Sequence, residues 1–357
     1  MLRAAVIGCG AMGRNHLRVL SELPGVSLVA AADADGERLP EVARRYGIET
    51  YAGHQELLER VRPDFAVVAV PTLEHYAVVV DTLRAAVHTL VEKPIAANVA
   101  EGAALAATAR AAGLLLAVGH VEHFNPAVTE LHRRLADGEL GRVFQAQVRR
   151  LGPFPARVRD VGVVLDLATH DLDILRYLVG AEVVRVYAET EQRIHTAHED
   201  LLSGLLRFSN GVVASLDINW LTPTKVRQLS LTGERGMFVV DYLQQDLSFH
   251  ANDYVSGGWE ALQRVSGVTE GSMTRFKLDK REPLRVELEQ FARAVAALPE
   301  QGLDGVAPLV VTAEAGLEAL RLATLLVESG RRGEAIDPRR EPAPGGAAIL
   351  ETSGGRR

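Results

Sequence analysis

Short, nearly continuous apolar runs alternate with longer helical segments in the first third of the chain. The apolar runs cover residues 2–7, 26–32, 65–70, 89–91 and 114–118. Such runs are typical of parallel strands that are covered on both faces. The helical segments between them include residues 12–23, 73–87 and 99–112. This alternation predicts an α/β domain with a doubly wound parallel sheet over residues 1–122.

After residue 122 the pattern changes to strand signals framed by helical segments. Apolar and polar residues alternate over 143–150, where Phe144, Ala146 and Val148 share one face. Asn210-Gly211 indicates a hairpin, because both residues tolerate positive φ. Other signals are a turn at 233–236 and helical patterns at 284–297 and 312–330. This order predicts an α+β domain over residues 123–335 and a flexible Pro-, Gly- and Arg-rich tail over 336–357.

The composition excludes several classes of function. The 357 residues carry a net charge of −7, whereas a protein that binds duplex nucleic acid usually has a basic excess. The apolar runs are shorter than the roughly 18 residues of a membrane-spanning helix, and no targeting segment is visible. Cys9 is the single cysteine, which excludes an intrachain disulfide framework or a cysteine metal cluster, and no metal site is expected. We therefore expect a cytoplasmic protein without nucleic-acid or membrane partners.

A glycine-rich turn joins the first predicted strand to the first predicted helix. It reads Gly8-Cys9-Gly10-Ala11-Met12-Gly13. In this context Gly8 permits a tight turn, Gly10 lets the backbone approach a pyrophosphate, and Gly13 lets the helix pack closely on the strand. The free N–H groups at the helix start, around Ala11 and Met12, then face the phosphates. The turn predicts a dinucleotide site, with a glycine turn of another α/β fold as the alternative.

Asp33 adds a prediction about which dinucleotide binds. It lies 20 residues beyond Gly13, at the end of the second predicted strand. A carboxylate there accepts hydrogen bonds from the adenosine ribose hydroxyls and repels a 2′-phosphate. Asp35 is an alternative ribose partner, although Asp33 has the better strand-end position. The combination predicts NAD rather than NADP as the cofactor.

Two groups of polar residues carry candidate acid–base chemistry. Glu92-Lys93-Pro94 follows a predicted strand, at the edge where an open α/β sheet places its ligands. A lysine held there can position a substrate hydroxyl and ease proton movement as hydride leaves. The four-residue step from Asp166 to His170 places carboxylate and imidazole on one helical face, an arrangement suited to a secondary alcohol. A solvated loop and a surface ion pair are the respective alternatives.

Together these segments resemble the Gfo/Idh/MocA family of oxidoreductases. The quoted matches are Val6-Ile-Gly-Cys-Gly-Ala-Met-Gly-Arg-Asn-His16, Val70-Pro-Thr-Leu-Glu-His75, Val91-Glu-Lys-Pro-Ile95 and Asp166…His170-Asp-Leu-Asp173, and residues 316–330 are also similar. The resemblance implies a Rossmann domain followed by a domain with a large open, mainly antiparallel sheet that forms a homodimer or homotetramer. It also implies NAD-dependent hydride transfer at a sugar or polyol carbon.

The resemblance further implies roles for individual residues. Lys93 anchors the substrate oxygen, His170 takes the hydroxyl proton during oxidation, and Asp166 holds the imidazole. The residues implied to border the cofactor outside the glycine turn and Asp33 are Pro71, Thr72, His75, Glu92 and Lys93.

The residues that follow the last strand of the first domain resemble one branch of the family, the UDP-N-acetylglucosamine 3-dehydrogenases. They read Gly119-His120-Val-Glu122-His123-Phe-Asn125-Pro126. His123 stands where this branch usually has an arginine. His120, Glu122 and Asn125 are thereby candidate substrate contacts. Asn125 before a proline is also typical of a helix N-cap, which is compatible with ligand roles for the other two.

An acid-free stretch of arginines precedes Asp166. Residues 142–159 contain Arg142, Arg149, Arg150, Arg157 and Arg159 but neither Asp nor Glu. Guanidinium groups suit bidentate contacts with a diphosphate. Arg157 and Arg159, in a Pro- and Gly-flanked loop, are the candidate contacts to a nucleotide-sugar diphosphate. Solvated or intersubunit arginines are the alternative.

The resulting hypothesis is an NAD-dependent dehydrogenase that oxidises a secondary hydroxyl of a sugar, at C3 of a UDP-N-acetylhexosamine. The enzymatic alternatives are an inositol or free-sugar dehydrogenase and a nucleotide-ketosugar reductase. A non-catalytic NAD-binding sensor is the non-enzymatic alternative. The presence of Lys93, Asp166 and His170 argues against the sensor, which needs none of their chemistry.

Overall fold

The chain forms two compact units. The computed structural model describes residues 1–155, 161–194, 197–254 and 268–341, without the side chains of 254 and 268–270. The first unit comprises residues 1–124 together with 281–321. The second comprises the described residues of 125–280 and of 322–342. Arg157 and Arg159 lie outside the described residues.

A six-stranded parallel sheet in the order β3-β2-β1-β4-β5-β6 forms the first unit. Its strands are β1 (Leu2–Ile7), β2 (Val26–Ala32), β3 (Glu49–Tyr51), β4 (Phe65–Val68), β5 (His88–Glu92) and β6 (Leu116–Gly119). The helices that alternate with them are α1 (Ala11–Glu22), α2 (Leu39–Tyr46), α3 (His54–Val61), α4 (His75–Arg84) and α5 (Val99–Ala112). This order is the doubly wound α/β arrangement that the apolar runs predict.

Three of these elements were not predicted from the hydrophobic pattern. Strand β3 is only three residues long, lies at the edge of the sheet, and has no fully buried residue. Helices α2 and α3 have eight residues each and bury only two and three of them. Elements this short contain too few apolar positions to show a period.

Residues 281–321 pack on the first unit, which corrects the expectation that 123–335 form one second domain. Helix α8 (Pro283–Val306) buries Leu288 and Phe291 completely, and the Phe291 ring meets Phe65 of β4 edge to face at 5.4 Å between centroids. After α8, Val118 of β6 donates its N–H to the Val311 carbonyl at 2.9 Å. The sequence predicts an amphipathic helix here, but an apolar stripe does not specify which sheet it covers.

The second unit is built on an eight-stranded sheet in the order β14-β13-β12-β11-β7-β10-β9-β8. Its strands are β7 (Val143–Pro153), β8 (Val183–Glu191), β9 (Leu201–Phe208), β10 (Val213–Asn219), β11 (Leu221–Gly233), β12 (Gly236–Asp241), β13 (Asp246–Tyr254) and β14 (Val268–Arg275). Its helices are α6 (Pro126–Ala136), α7 (Thr169–Val179) and the part of α9 (Ala313–Arg332) from residue 322 onward. Every pair is antiparallel except β7–β10, so the predicted open, mainly antiparallel sheet is confirmed.

Local turn signals agree with this sheet. The hairpin predicted at Asn210-Gly211 joins β9 to β10, and Gly211 has a φ of +92°. The predicted turn at 233–236 joins β11 to β12.

Within the described ranges, no helix is both long and apolar enough to cross a membrane.

The flexible tail is expected to begin at residue 336, but the structure holds this residue in the second unit. Ile336 is buried, and its backbone exchanges two hydrogen bonds of 2.9 Å with Val186 of β8. The sequence did not predict this contact, because Ile336 is followed directly by a proline- and glycine-rich stretch that is typical of a flexible tail. Residues 342–357 lie outside the described part of the chain.

Replacing Phe291 by alanine tests the placement of α8. We expect Phe291→Ala to lower the free energy of unfolding by about 3–5 kcal/mol, because the ring packs on Phe65 inside the first unit. Urea denaturation followed by circular dichroism measures this change. The control is Arg293→Ala two residues later, whose exposed side chain should change stability by less than about 0.5 kcal/mol. Equal, small effects of both variants would contradict the assignment.

Candidate active site

The glycine turn leaves the start of helix α1 open. Gly8 has a φ of +96°, and a Cβ on it would lie 2.5 Å from the Ala69 carbonyl oxygen. A Cβ on Gly13 would lie 1.8 Å from the Gly8 carbonyl oxygen, so no side chain fits there. Gly10 is the N-cap of α1 without a side-chain cap, and a Cβ on it would meet only Arg38 at 3.9 Å. The first N–H groups of α1 therefore have the setting that a pyrophosphate requires.

Asp33 is anchored beside this turn at the end of β2. Its Oδ2 accepts the Cys9 N–H at 2.5 Å and its Oδ1 accepts the Asp35 N–H at 2.8 Å. The Arg38 guanidinium lies 3.3 Å from Asp33 Oδ2 and 3.1 Å from Asp35 Oδ2. Asp35 also caps the short helical turn that follows, through the Glu37 N–H. Of the two carboxylates, Asp33 is the one held against the glycine turn, as a ribose-binding residue would be.

Cys9 has no nucleophilic character. Its side chain is fully buried, and burial together with the charge of Asp33 raises its pKa to about 12. The thiol therefore stays protonated at neutral pH, and only the Cys9 backbone contributes to the turn.

Among the described residues, no group of three or more His, Cys, Asp or Glu side chains is arranged to hold a metal ion.

Glu92 ends β5 and Lys93 follows it. His16, to which the sequence assigned no role, holds Glu92 in place. His16 of α1 is fully buried, and its Nε2 lies 2.7 Å from Glu92 Oε1. The Glu92 carboxyl also lies against Gly119, where a Cβ would be 3.3 Å from Oε2. Burial raises the pKa of Glu92, but the hydrogen bond from His16 and the charge of Lys93 outweigh it and hold that pKa below its usual range. Glu92 is therefore ionised at neutral pH.

His75 joins the loop after β4 to the loop after β5. Its ring is buried, with Nδ1 2.8 Å from the Pro94 carbonyl oxygen and Nε2 3.1 Å from the Val70 carbonyl oxygen. Burial lowers the pKa of His75, although the two carbonyl oxygens act in the opposite sense. Pro71 is exposed and Thr72 is partly exposed in the same loop. This geometry gives His75 a structural contact, and its contact with the cofactor stays a prediction.

The segment after β6 contains the candidate substrate residues of the branch. His120 is buried at the strand end, and Glu122 and His123 are partly exposed in a short 3-10 helix. Asn125 is the N-cap of α6: its Oδ1 accepts the Ala127 N–H at 3.1 Å, and its Nδ2 donates to the Tyr242 carbonyl oxygen at 3.1 Å. The capping alternative for Asn125 thus holds in the structure.

Asp166 and His170 are both partly exposed within a mostly buried helical segment. Residues Val164–Ala168 form a π-helical turn that continues directly into α7. Asp166, Leu167 and His170 are partly exposed, whereas Leu165, Ala168 and Thr169 are buried. Single π-helical turns inside α-helices frequently occur at functional sites. The common face of the Asp166 carboxylate and the His170 imidazole stays a prediction.

Two carboxylates, the partly exposed Glu199 and the buried Asp171, fix this helical segment within the second unit. Glu199 accepts the Val164 N–H at 3.2 Å and leaves no room for a side chain at Gly162. Burial and the charge of Asp200 raise the pKa of Glu199. Asp171, next to His170, is fully buried and receives two hydrogen bonds from Arg150, at 2.6 and 3.0 Å. The alternation along β7 gives one indication of this pair, because it places Arg150 on the same buried face as Ala146 and Val148.

Three arginines of the acid-free stretch have carboxylate partners from elsewhere in the chain. Arg142 pairs with Glu234 at 3.4 Å, Arg149 lies 4.0 Å from Asp217, and Arg150 binds Asp171. Glu234 lies in the turn after β11, Asp217 in β10 and Asp171 in α7, so a stretch of sequence without Asp or Glu does not form a surface without them. Arg157 and Arg159, the candidate diphosphate contacts, lie outside the described residues.

Comparisons with known proteins agree with this architecture. The family model described as "Oxidoreductase family, NAD-binding Rossmann fold" matches residues 2–120, and the "GFO/IDH/MocA C-terminal domain" matches residues 128–239. The UDP-N-acetylglucosamine 3-dehydrogenase of Acidithiobacillus ferrooxidans is 32% identical over 317 residues, which cover 88% of this chain and 95% of that protein. A solved structure of the same enzyme superimposes with a TM-score of 0.78 at 28% identity, covering 92% of this chain and 97% of that one.

A second relative acts on a different type of substrate. The scyllo-inositol 2-dehydrogenase (NAD(+)) of Bacillus subtilis is 31% identical over 191 residues, which cover 52% of this chain and 56% of that protein. The likeness to the first relative extends over nearly the whole length of both proteins, through both units. The chain therefore belongs to the Gfo/Idh/MocA family of oxidoreductases, and its first unit carries an NAD-binding Rossmann domain.

Proposed function

We propose that this oxidoreductase oxidises a secondary hydroxyl of a nucleotide-linked sugar, at C3 of a UDP-N-acetylhexosamine. The observation that carries the chemistry is that Asp166 and His170, four residues apart, are both partly exposed in a mostly buried helical segment. The substrate class is supported by the likeness to a UDP-N-acetylglucosamine 3-dehydrogenase over 88% of the chain. Arg157 and Arg159 are the proposed diphosphate contacts, and His120, Glu122 and Asn125 remain proposed sugar contacts.

The chain supplies the proton chemistry and the alignment. NAD, when bound, supplies the carbon that accepts the hydride. His170 takes the proton of the substrate hydroxyl as the C–H bond breaks, and Asp166 orients the ring and stabilises its charged form. Lys93 donates a hydrogen bond to the reacting oxygen and holds it in place. Asp33 and the N–H groups around Gly10 and Ala11 bind the cofactor's ribose and pyrophosphate.

Oxidation of inositol is the second candidate, because the inositol dehydrogenase relative is 31% identical over half of the chain. The two candidate substrates differ in one chemical group: only a nucleotide sugar carries a diphosphate. A panel containing UDP-N-acetylglucosamine, UDP-N-acetylgalactosamine, myo-inositol and glucose therefore separates them. The panel is run with and without a 2-oxo acid, because a retained cofactor needs an external oxidant to turn over.

Removing the His170 imidazole tests the proposed proton transfer. We expect His170→Gln to lower kcat by about 10²- to 10⁴-fold on the substrate that the wild type oxidises, since general base catalysis contributes that much. NADH absorbance gives the rate, and calorimetric titration with NAD confirms that cofactor affinity is retained. His132→Gln, a histidine stacked on Tyr177 elsewhere in the second unit, is the matched control. Unchanged kcat in His170→Gln would disprove the assignment, and turnover of inositol alone would disprove the nucleotide-sugar substrate.

The pair of Asp33 and Arg38 predicts how cofactor preference changes. Asp33→Asn keeps an oxygen for the Cys9 N–H but removes the charge that repels a 2′-phosphate. It also removes one of the two carboxylates that Arg38 faces, at 3.3 Å from Asp33 and 3.1 Å from Asp35, which makes the guanidinium more available to bind that phosphate. We expect NADP affinity to rise about 10- to 100-fold, the value of one or two charge-assisted hydrogen bonds.

Calorimetric titration of NAD and NADP measures this change without requiring a substrate. The double variant Asp33→Asn/Arg38→Ala should lose most of the gain in NADP affinity, because no guanidinium then receives the phosphate. A gain of equal size in the single and double variants would show that Arg38 plays no part.

We also propose that the outer face of the eight-stranded sheet joins two copies of the chain. Its central row runs across six paired strands and is uncharged: Tyr187, Leu205, Ser215, Gln147, Ser230 and Val239. Leu205 is 48% exposed in this row, between Tyr187 and Ser215 of the neighbouring strands. A two-fold axis through such a row brings the same residues of both copies together.

Leu205→Glu places a charge in this row. We expect it to lower the mass measured by light scattering to that of a single chain, because two carboxylates would face each other without partners. Leu243→Glu, at a similarly exposed turn of the second unit, should leave the mass unchanged. Equal masses for the wild type and both variants would contradict this interface.

A further inference from the structure

We propose that His16 and His75 are positioning residues that hold the loop of Lys93 from two sides, one through Glu92 and the other through Pro94. The catalytic consequence rests on the proposed function, in which Lys93 holds the reacting oxygen. The clamp itself rests only on contacts within the first unit. The two histidines belong to different helices, α1 and α4, and both helices pack on the parallel sheet.

The first anchor joins the phosphate-binding helix to the residue before Lys93. His16 lies one helical turn after Gly13, and its Nε2 donates to Glu92 Oε1 across 2.7 Å. Its ring is fully buried, and the Glu92 side chain is only 12% exposed. A charge-assisted hydrogen bond in so dry a setting is strong and directional. The position of Glu92 is thereby tied to helix α1.

The second anchor holds the residue after Lys93. His75 Nδ1 lies 2.8 Å from the Pro94 carbonyl oxygen, and Nε2 lies 3.1 Å from the carbonyl oxygen of Val70. Val70 is itself packed against the glycine turn, since a Cβ on Gly8 would lie 2.9 Å from the Val70 nitrogen. Pro94 is therefore held by the same rigid surroundings as the phosphate-binding turn.

Neither histidine is placed to react with a substrate. His16 is 0% exposed and His75 is 1% exposed, and each has a ring nitrogen committed to the loop of Lys93. Lys93 is partly exposed between the two anchors. A lysine side chain has four rotatable carbons, so its ammonium group is placed accurately only if its backbone does not move. Fixing residues 92 and 94 restricts the backbone of Lys93 on both sides.

Removing one anchor should misplace the ammonium without emptying the cofactor site. We expect His16→Leu to lower kcat about 10- to 100-fold while NAD affinity stays near the wild-type value, because small displacements of an orienting group carry costs of that size. His16→Gln keeps an N–H group at the end of a chain of similar length and should restore most of kcat. His75→Leu should act in the same direction, with His75→Asn as its rescue, because the Asn amide replaces the Nδ1 donor.

A double-mutant cycle separates positioning from a general structural effect. If His16 acts through Lys93, then His16→Leu/Lys93→Met should be no slower than Lys93→Met alone. A multiplied loss in the double variant would overturn the proposal. The matched control is His54→Leu, which removes another histidine–carboxylate contact of the first unit, to Asp81 at 2.9 Å, and should leave kcat unchanged.

Two measurements on the protein alone keep this test independent of the substrate. Hydrogen–deuterium exchange should rise in peptides covering residues 92–97 of His16→Leu, and not in His16→Gln or His54→Leu. The rate of Lys93 acetylation is measured by mass spectrometry relative to that of the exposed Lys225. In His16→Leu this relative rate should change about threefold or more, because the loop is locally opened. Unchanged exchange and acetylation would overturn the clamp. A wild type that oxidises no sugar of the panel, with the exchange changes present, would overturn the proposed function and leave the clamp supported.

Discussion

The close packing of helix α1 on strand β1 is the constraint on which the first unit depends. Gly13 approaches the Gly8 carbonyl so closely that no Cβ fits, which sets the height and direction of the helix. Once α1 is placed, its N-terminus has no side-chain cap, the Cys9 N–H meets Asp33, and His16 reaches Glu92. One steric requirement therefore positions groups for the cofactor and for the lysine loop at the same time. The carboxyl ends of β1, β2, β4 and β5 become one connected surface.

In the second unit, hydrogen-bonded charged side chains rather than glycines position the helical segment that carries Asp166 and His170. Arg150 of β7 binds Asp171, and Glu199 binds the Val164 N–H, on either side of the turn that carries Asp166 and His170. A buried ion pair adds little net stability over apolar packing, but removing one partner leaves a charge without compensation, so the arrangement tolerates few alternatives. Such a pair suits the support of an imidazole whose direction matters. The pair lies directly beside His170, the proposed proton acceptor.

Much of the fold and part of the site follow from local sequence. The apolar runs, the hairpin at Asn210-Gly211 and the helix end at Gly113 depend on residues close in the chain, and the structure has each of them. The glycine turn with Asp33 is also short in range. The partners of Arg150 and His16 were not predicted, because they lie 21 and 76 residues away. The placement of α8 was missed for the same reason, since its apolar stripe fits any complementary sheet.

The sequence by itself determined the classes of the two sheets, the dinucleotide-binding turn and the residues able to carry acid–base chemistry, because periodicity and residue type are properties of short segments. Only the tertiary structure decided that residues 281–321 complete the first unit, that Ile336 is an anchor on β8, and that three of the five arginines face carboxylates. It also decided that Lys93 lies between two buried histidines. These outcomes depend on which distant surfaces meet, and that is set by the burial of apolar area and the pairing of charges over the whole domain.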